Sequence, residues 1–216
     1  MRWQAQQDHL DGRLDDGSRV VFRHITPEDK GRLLEAFQRL SPESRYLRFF
    51  SPISTLTDEQ LRYLTEVDFQ DHFAWVAALP DEPGSPGVGV GRWVRSTKDP
   101  TVAEAAIAVT DDYHGRGIGK ALLRLLVESA VQKGVREFSA AVLRSNQAML
   151  RLLKELGATA VRGDHGVLEL RVPLPQSLAE LEGTPAPAVL RAAAAGHLEA
   201  HTASPVDRLR MVLKGA

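Results

Sequence analysis

The apolar and polar positions of the chain follow two alternating patterns, which predict a series of strands and helices. Some runs are rich in β-branched and aromatic residues, and in others apolar residues recur every three or four positions. The first pattern predicts strands at residues 19–25, 73–79, 88–94, 102–109, 137–143, 159–161 and 167–172. The second predicts helices at residues 26–40, 41–50, 57–67, 120–133 and 145–156.

The amino-acid composition changes before the first and after the last of these predicted strands, and these changes give the predicted domain boundaries. Residues 1–17 form an N-terminal extension that closes with the turn-rich segment 11–17, and the predicted domain occupies residues 18–174. Residues 175–216 are alanine-rich with scattered prolines and predict tail helices joined by irregular segments. Docking of this tail on the domain, docking on a second copy in a homodimer, and a weakly ordered extension all stay open.

Composition also narrows the possible partners. The chain is 43% hydrophobic and 25% charged, which is ordinary for a globular protein. Because 27 Lys and Arg are balanced by 28 Asp and Glu, we expect no nucleic-acid or membrane-surface partner. Without a signal-peptide pattern or a run near ~18 apolar residues, we expect a cytoplasmic protein. Cysteine is absent and the seven histidines lack metal-ligand spacing, so we expect no metal.

A glycine-rich turn, His114-Gly-Arg-Gly-Ile-Gly119, stands between the strand 102–109 and the helix 120–133. Glycines let the backbone approach an anion, and N–H groups of the first helical turn bind it, so the turn predicts a phosphate site. The ATP-binding loop is excluded because Ala121 stands where its Ser or Thr is required. The dinucleotide fingerprint is excluded by its different glycine spacing. A glycine-capped helix start without a ligand is the remaining alternative.

The turn resembles the coenzyme-binding signature of the GNAT (Gcn5-related N-acetyltransferase) superfamily. In that signature, Gln or Arg is followed by two residues, Gly, one residue, and Gly or Ala. Gly117 and Gly119 occupy the two small positions, and His114 stands where Gln or Arg is usual. The order of elements over residues 18–174 is also similar. The resemblance implies an α+β fold with αβα layers and a mixed, mostly antiparallel sheet. The sheet should open in a V between the strands before and after the signature helix, with helices on both faces.

The resemblance implies an acetyl-CoA site. N–H groups from Arg116 to Lys120 would take the pyrophosphate, and their two basic side chains would add charge unless they are simply solvated. The backbone near Val109 would pair with the pantetheine amides, and its N–H would polarise the thioester carbonyl. Asn146 matches an Asn that contacts the coenzyme in many members, although a plain helix cap explains it equally well. The residues expected to bind the coenzyme are Val109, His114, Gly115, Arg116, Gly117, Gly119, Lys120 and Asn146.

Glu104 resembles the glutamate that serves as general base in the bacterial Pat-like protein lysine acetyltransferases, and segments 41–50 and 102–112 look like theirs. Its sequence neighbours are apolar, which favours a raised carboxyl pKa suited to a base. A solvent-facing strand acid or a salt-bridge partner is the alternative. Many relatives carry a Tyr seven residues after the Asn, where it protonates the leaving thiolate, but this chain has Leu153 there.

The resemblance implies transfer of an acetyl group from acetyl-CoA to a primary amine by direct attack in a ternary complex. A protein lysine is the first acceptor to consider, and a small-molecule amine is the second. A non-catalytic acyl-CoA-binding module is the alternative class, favoured by the missing tyrosine and by the tail. The acceptor pocket is expected from residues 45–50 and 66–72, whose sequence does not identify the acceptor.

Overall fold

The computed structural model describes residues 4–6, 9–14, 16–144, 150, 153, 157–164 and 166–176. Within them the chain forms a nine-stranded sheet with helices on both faces. The strands are β1 Gln4–Gln6, β2 His9–Arg13, β3 Arg19–His24, β4 His72–Ala78, β5 Gly87–Arg95, β6 Val102–Val109, β7 Glu137–Leu143, β8 Thr159–Asp164 and β9 Val167–Pro173. The helices are α1 Lys30–Gln38, α2 Pro42–Phe49, α3 Asp58–Thr65 and α4 Ile118–Gln132, with single 3-10 turns at Pro27–Asp29 and Asp111–Tyr113.

The strands lie in the order β1-β2-β3-β4-β5-β6-β7-β9-β8. The pairing of β6 with β7 is parallel, and the other neighbouring strands in the described sheet are antiparallel. This arrangement confirms the predicted α+β fold with a mixed, mostly antiparallel sheet. The predicted helix 145–156, apart from residues 150 and 153, and nearly all of the tail 175–216 lie outside the described residues.

The prediction of a turn over residues 11–17 was wrong in its first half. Residues 9–13 form β2, which runs along β3, and Arg19 Nε donates to Asp11 Oδ1 at 2.8 Å between the two strands. In the described residues the turn is closed by hydrogen bonds of Leu14 with Gly17 and Ser18, and Gly17 has a φ of 89°. The composition of residues 9–13 gives little strand signal. These residues become a strand because the β-branched residues of β3 offer them a partner.

Strands β6 and β7 pair over only part of their length. Paired positions join Val102 to Glu137, Ala103 to Phe138, and Glu104 to Ser139. Beyond Glu104, β6 continues to residue 109 and β7 to residue 143 without further pairing in the described register. The two strands therefore separate into the V-shaped opening that the family resemblance implied.

The two faces of the sheet carry different helices. On one face α4 lies so close to β5 that a Cβ atom on Gly89 would come within 3.0 Å of Ile118 Cγ2. Gly91 faces Leu122 and Leu126 in the same way. Helices α1 and α3 cover the opposite face. The glycines of β5 thus let α4 sit close, which fixes its N-terminus beside the end of β6. No described helix is both long enough and apolar enough to cross a membrane.

Candidate active site

The glycine turn leads directly into the N-terminus of α4. Gly115 has a φ of 74° and Gly117, the N-cap, has a φ of 85°, a left-handed conformation that residues with a Cβ adopt at a cost. Helix α4 begins at Ile118, two residues earlier than predicted, so Gly119 and Lys120 lie in its first turn. The first N–H groups of a helix have no intrahelical acceptor, and they carry the positive end of the helix dipole. The turn therefore has the geometry of an anion site.

His114 points back toward the end of β6. Its Nε2 atom lies 2.9 Å from the carbonyl oxygen of Val109 and 3.8 Å from Asp111 Oδ1. The ring therefore braces the strand end against the glycine turn. The backbone N–H of His114 donates to Asp111 O at 3.2 Å, and the predicted coenzyme contact of His114 stays a prediction.

Arg116 has partners on the protein surface. Its Nη1 donates to Asp16 Oδ2 at 2.6 Å, and its guanidinium lies 4.7 Å from the ring centre of Tyr113. Both members of the ion pair are partly exposed, and such pairs contribute little to stability. A phosphate group can therefore replace Asp16 as the partner of Arg116 without a large loss.

The backbone of Val109 faces the opening between β6 and β7. Thr110 N donates to Val88 O of β5 at 3.0 Å. Because alternate residues of an antiparallel strand direct their N–H and C=O groups to opposite sides, those of Val109 point away from β5. Since β7 has already parted from β6 at Glu104, the amide of Val109 lies beside the opening. The predicted contact with a pantetheine arm is compatible with this orientation.

Glu104 is the last residue of β6 that pairs with β7, and its side chain is only 6% exposed. Its antiparallel partner on β5 is Val94, and facing residues share one side of a sheet. Its neighbours Ala103 and Ala105 belong to the core beneath α4. The Glu104 carboxyl group therefore lies on the opposite face, toward α1–α3, at the point where the strands separate. The alternative of a solvent-facing strand acid is wrong.

Two buried arginines lie on the same face as Glu104. Arg92 of β5 is 2% exposed, faces Ala106, and stands one row from Glu104. Its Nη2 donates to Leu64 O at 3.1 Å and its Nη1 lies 3.0 Å from His72 Nε2. Burial, assisted by the charge of Arg48, lowers the pKa of Arg92 to about 9.

Arg48 of α2 is the second arginine and is 7% exposed. Burial lowers its pKa to about 10, while the negative charge of Glu104 opposes that shift. Both arginines therefore remain charged at neutral pH, in surroundings that disfavour charge. The Glu104 carboxylate lies in a positive electrostatic environment.

Asp111 joins the helix α2 to the glycine turn. Its carboxylate accepts hydrogen bonds from Ser41 N at 2.9 Å and from Ser44 Oγ at 2.8 Å. Burial alone would raise the pKa of Asp111, but these hydrogen bonds outweigh it and hold the pKa below its usual value. The same residue that starts the turn before α4 thus anchors the N-terminus of the helix that carries Arg48.

Leu153 packs in a hydrophobic cluster with Ala140, Val142 and Leu170, and it is 5% exposed. The position where many relatives carry a tyrosine is therefore part of the core. Asn146 lies outside the described residues, and its predicted role stays a prediction. Among the described residues, no three His, Asp or Glu side chains are grouped closely enough to hold a metal ion.

Sequence reasoning missed Arg92, whereas Arg48 and His72 fall within the segments 45–50 and 66–72 that were expected to form the acceptor pocket, without being singled out. The one available signal was that Arg92 interrupts an apolar strand. A charged residue at such a position is buried if its side chain faces the helices. Only the register of β5 with β6 shows that Arg92 shares a face with Glu104. The docking of α2 that brings Arg48 to the same place is a tertiary feature with no local signal.

Comparisons with known proteins show the family to which the chain belongs. A family model described as an acetyltransferase (GNAT) domain matches residues 19–159. The acetyltransferase Pat of Mycolicibacterium smegmatis is 40% identical over 159 residues, which are 74% of this chain and 47% of that protein. The chain thus spans about half the length of that relative.

Two further relatives cover more of their own length. The acetyltransferase PA5475 of Pseudomonas aeruginosa is 32% identical over 73% of this chain and 84% of that protein. The crystal structure of the GNAT domain of S. lividans PAT superposes with a TM-score of 0.68 at 32% identity, covering 77% of this chain and 97% of that one. Since the family model matches more than half of the residues, this chain belongs to the GNAT acetyltransferase family.

Proposed function

We propose that the protein binds acetyl-CoA in the opening between β6 and β7 and transfers its acetyl group to a primary amine. The observation that carries the proposal is the position of Glu104, which is buried where the two strands separate and lies on the face opposite α4. The glycine turn that follows β6 supplies an anion site at the N-terminus of α4. An amine approaching from the side of α1–α3 meets Glu104 before it reaches the opening.

In this proposal the side chains of the protein move protons and orient the reactants. An amine with a pKa near ~10 is mostly protonated at neutral pH, so Glu104 accepts a proton from the acceptor and frees its lone pair. The N–H of Val109 stabilises the oxygen anion that forms when the amine attacks. The bound coenzyme would supply a thioester; as its thiolate leaves, the attacking nitrogen gives its second proton to water.

No tyrosine occupies the position of Leu153 to protonate that thiolate. A thiolate with a pKa near ~8.5 is a tolerable leaving group, and it takes its proton from water. The absence of that tyrosine is therefore compatible with turnover. The alternative is a non-catalytic acyl-CoA-binding module, which would bind the coenzyme without transferring its acyl group.

Within this proposal a protein lysine is the first acceptor. The similar proteins from M. smegmatis and S. lividans are both named Pat. In addition, the sequence segments around Arg48 and Glu104 resemble those of the Pat-like protein lysine acetyltransferases. A small-molecule amine is the second acceptor. It is favoured by the enclosed, charged surroundings of Glu104, since Arg48 and Arg92 are buried on that face.

Incubation with carbon-labelled acetyl-CoA and a cell lysate tests the proposal. We expect label in the protein fraction for a lysine acceptor and in the small-molecule fraction for a free amine. The matched variants are Glu104→Gln and Glu43→Gln, because Glu43 is an exposed acid on α2. Transfer should depend on Glu104 and not on Glu43. Coenzyme binding without transfer to either fraction would refute the enzymatic proposal and favour the binding module.

A further inference from the structure

A cavity lies between the sheet and helices α1–α3, on the face that carries Glu104. The cavity opens to solvent, and about 750 Å³ of space in it and its mouth is not filled by protein atoms. Most of its wall is apolar, as at Phe37, Leu64 and Val90. We call it the Arg48 cavity. The charged side chains that line it are Arg23, Asp29, Arg32, Arg48 and Arg92.

The charges in the Arg48 cavity do not balance. Asp29 is the one carboxylate among its described lining residues, and it is already engaged. Arg23 grips it with two hydrogen bonds of 2.7 and 2.6 Å, and Arg32 approaches it to 3.5 Å. The positive charges of Arg48 and Arg92 are therefore left without a carboxylate in the cavity wall.

Arg48 is the less satisfied of these two arginines. More than nine-tenths of it is buried, and its contacts in the described structure are with the Phe49 ring, 5.0 Å away, and with the negative charge of Glu104. None of its described contacts is a hydrogen bond or a direct salt bridge. The Tyr63 hydroxyl is also buried without a hydrogen-bond partner among the described residues. A guanidinium carries five N–H donors, and because Arg48 lines the open cavity without a described hydrogen bond, these donors are available to a ligand there.

The cavity reaches the reacting end of β6. Ala108, Val109 and Thr110 are part of its wall, and Arg48 is within electrostatic range of Glu104. A group bound at Arg48 therefore belongs to a molecule that is close to the proposed site of acetyl transfer. A planar carboxylate fits a guanidinium through two parallel hydrogen bonds, and the apolar wall suits a short carbon chain.

We propose that the Arg48 cavity binds a carboxylate carried by one of the two substrates. The carboxylate belongs either to an amino acid that serves as the amine acceptor or to the far end of a dicarboxylic acyl group on the coenzyme. This inference rests on the proposed function, because it places the ligand at the same site. The chemistry at Arg48 is the same in both cases, and the test separates the two sources.

Calorimetric binding to the full chain compares two pairs of probes that differ in a carboxylate. The acceptor pair is L-lysine and 1,5-diaminopentane in the presence of coenzyme A, and the donor pair is succinyl-CoA and butyryl-CoA. We expect the carboxylated member of one pair to bind about 10- to 100-fold more tightly than its twin. The pair that shows this preference identifies the source. Arg48→Gln should abolish the preference, whereas Arg62→Gln, on the exposed side of α3, should keep it.

Similar affinities within each pair for the unaltered protein, or a preference that survives Arg48→Gln, would overturn the inference. The comparison on the unaltered chain decides even if Arg48→Gln fails to fold. Arg48→Lys keeps the positive charge but loses the planar guanidinium that can donate two parallel hydrogen bonds, so it should retain only part of the preference for the carboxylated probe. Because binding does not require turnover, loss of acetyl transfer with an intact carboxylate preference would contradict the proposed function alone. Acetyl transfer without any carboxylate preference would contradict this inference alone.

Discussion

Replacement of Arg48 by Met should stabilise the protein, since it removes a buried charge that has no hydrogen bond or direct salt bridge among the described contacts. Burial lowers the pKa of Arg48 well below its usual value, to about 10. The folded state therefore holds the charged form at a cost on the order of a few kcal/mol. Methionine keeps an unbranched apolar stem against Phe49 and removes the guanidinium.

Part of this gain is offset because Glu104 loses the positive charge that faces it. We therefore expect the free energy of unfolding to rise by about 1–3 kcal/mol, the range seen when unsatisfied buried ionic groups are replaced by apolar residues. Urea unfolding at neutral pH, followed by tryptophan fluorescence, measures the change at constant m-value. Arg62→Met on the exposed side of α3 is the control and should change stability by less than ~0.5 kcal/mol.

Loss of more than about 1 kcal/mol in Arg48→Met, with an unchanged m-value and an unaffected control, would refute this reasoning. Such a loss would mean that the guanidinium is well satisfied in the folded protein. Arg48 would then have no need of an anionic ligand in the cavity. The expected outcome is a variant that is more stable but binds the carboxylated probe more weakly.

Three further predictions concern the glycines and the buried aspartate. Gly89→Ala should lower the free energy of unfolding by ~1–3 kcal/mol in urea, because its Cβ would press on Ile118, whereas Gly31→Ala, with open space around it, should not destabilise. Gly117→Ala should cost ~1 kcal/mol through its φ of 85° and weaken coenzyme A binding in a calorimetric titration; unchanged affinity would argue against the glycine turn as the anion site. Burial alone would raise the pKa of Asp29, but hydrogen bonds from Arg23 and Thr26 hold that pKa below its usual value of 3.8. The ionised Asp29 carboxylate therefore stabilises the folded protein above pH 3.8, and this stabilisation is lost as the pH falls through the lower pKa of the folded state. Asp29→Asn should flatten that acid limb of stability measured by circular dichroism, and an unchanged limb would contradict the assignment.

The sequence predicted the elements with strong local patterns. The bounds of β6 and β7 were predicted to the residue, because their apolar runs are flanked by turn residues. Helix α4 was found from its apolar stripe, although its start was placed two residues late because Gly119 was read as part of the turn. Strand β2 was missed, since residues 9–13 become a strand only by pairing with β3.

The site was predictable where a local motif carries it and hidden where tertiary packing assembles it. Glu104 and the glycine turn follow from spacing and resemblance. The meeting of Arg48 with Arg92 depends on strand register and on the docking of α2, and a one-residue shift in register would move Arg92 to the other face. Local pattern could not have placed these two charges together.

The central claim is that Glu104 removes the acceptor's proton after the coenzyme has bound. Steady-state acetylation kinetics and coenzyme A titration of Glu104→Gln, beside Glu43→Gln, test it most directly. We predict that kcat/KM of Glu104→Gln falls by about 10²–10⁴-fold while its coenzyme affinity stays within about twofold, and that Glu43→Gln behaves as the unaltered protein. A Glu104→Gln variant that keeps its turnover, or that loses coenzyme binding as strongly as activity, would contradict the account.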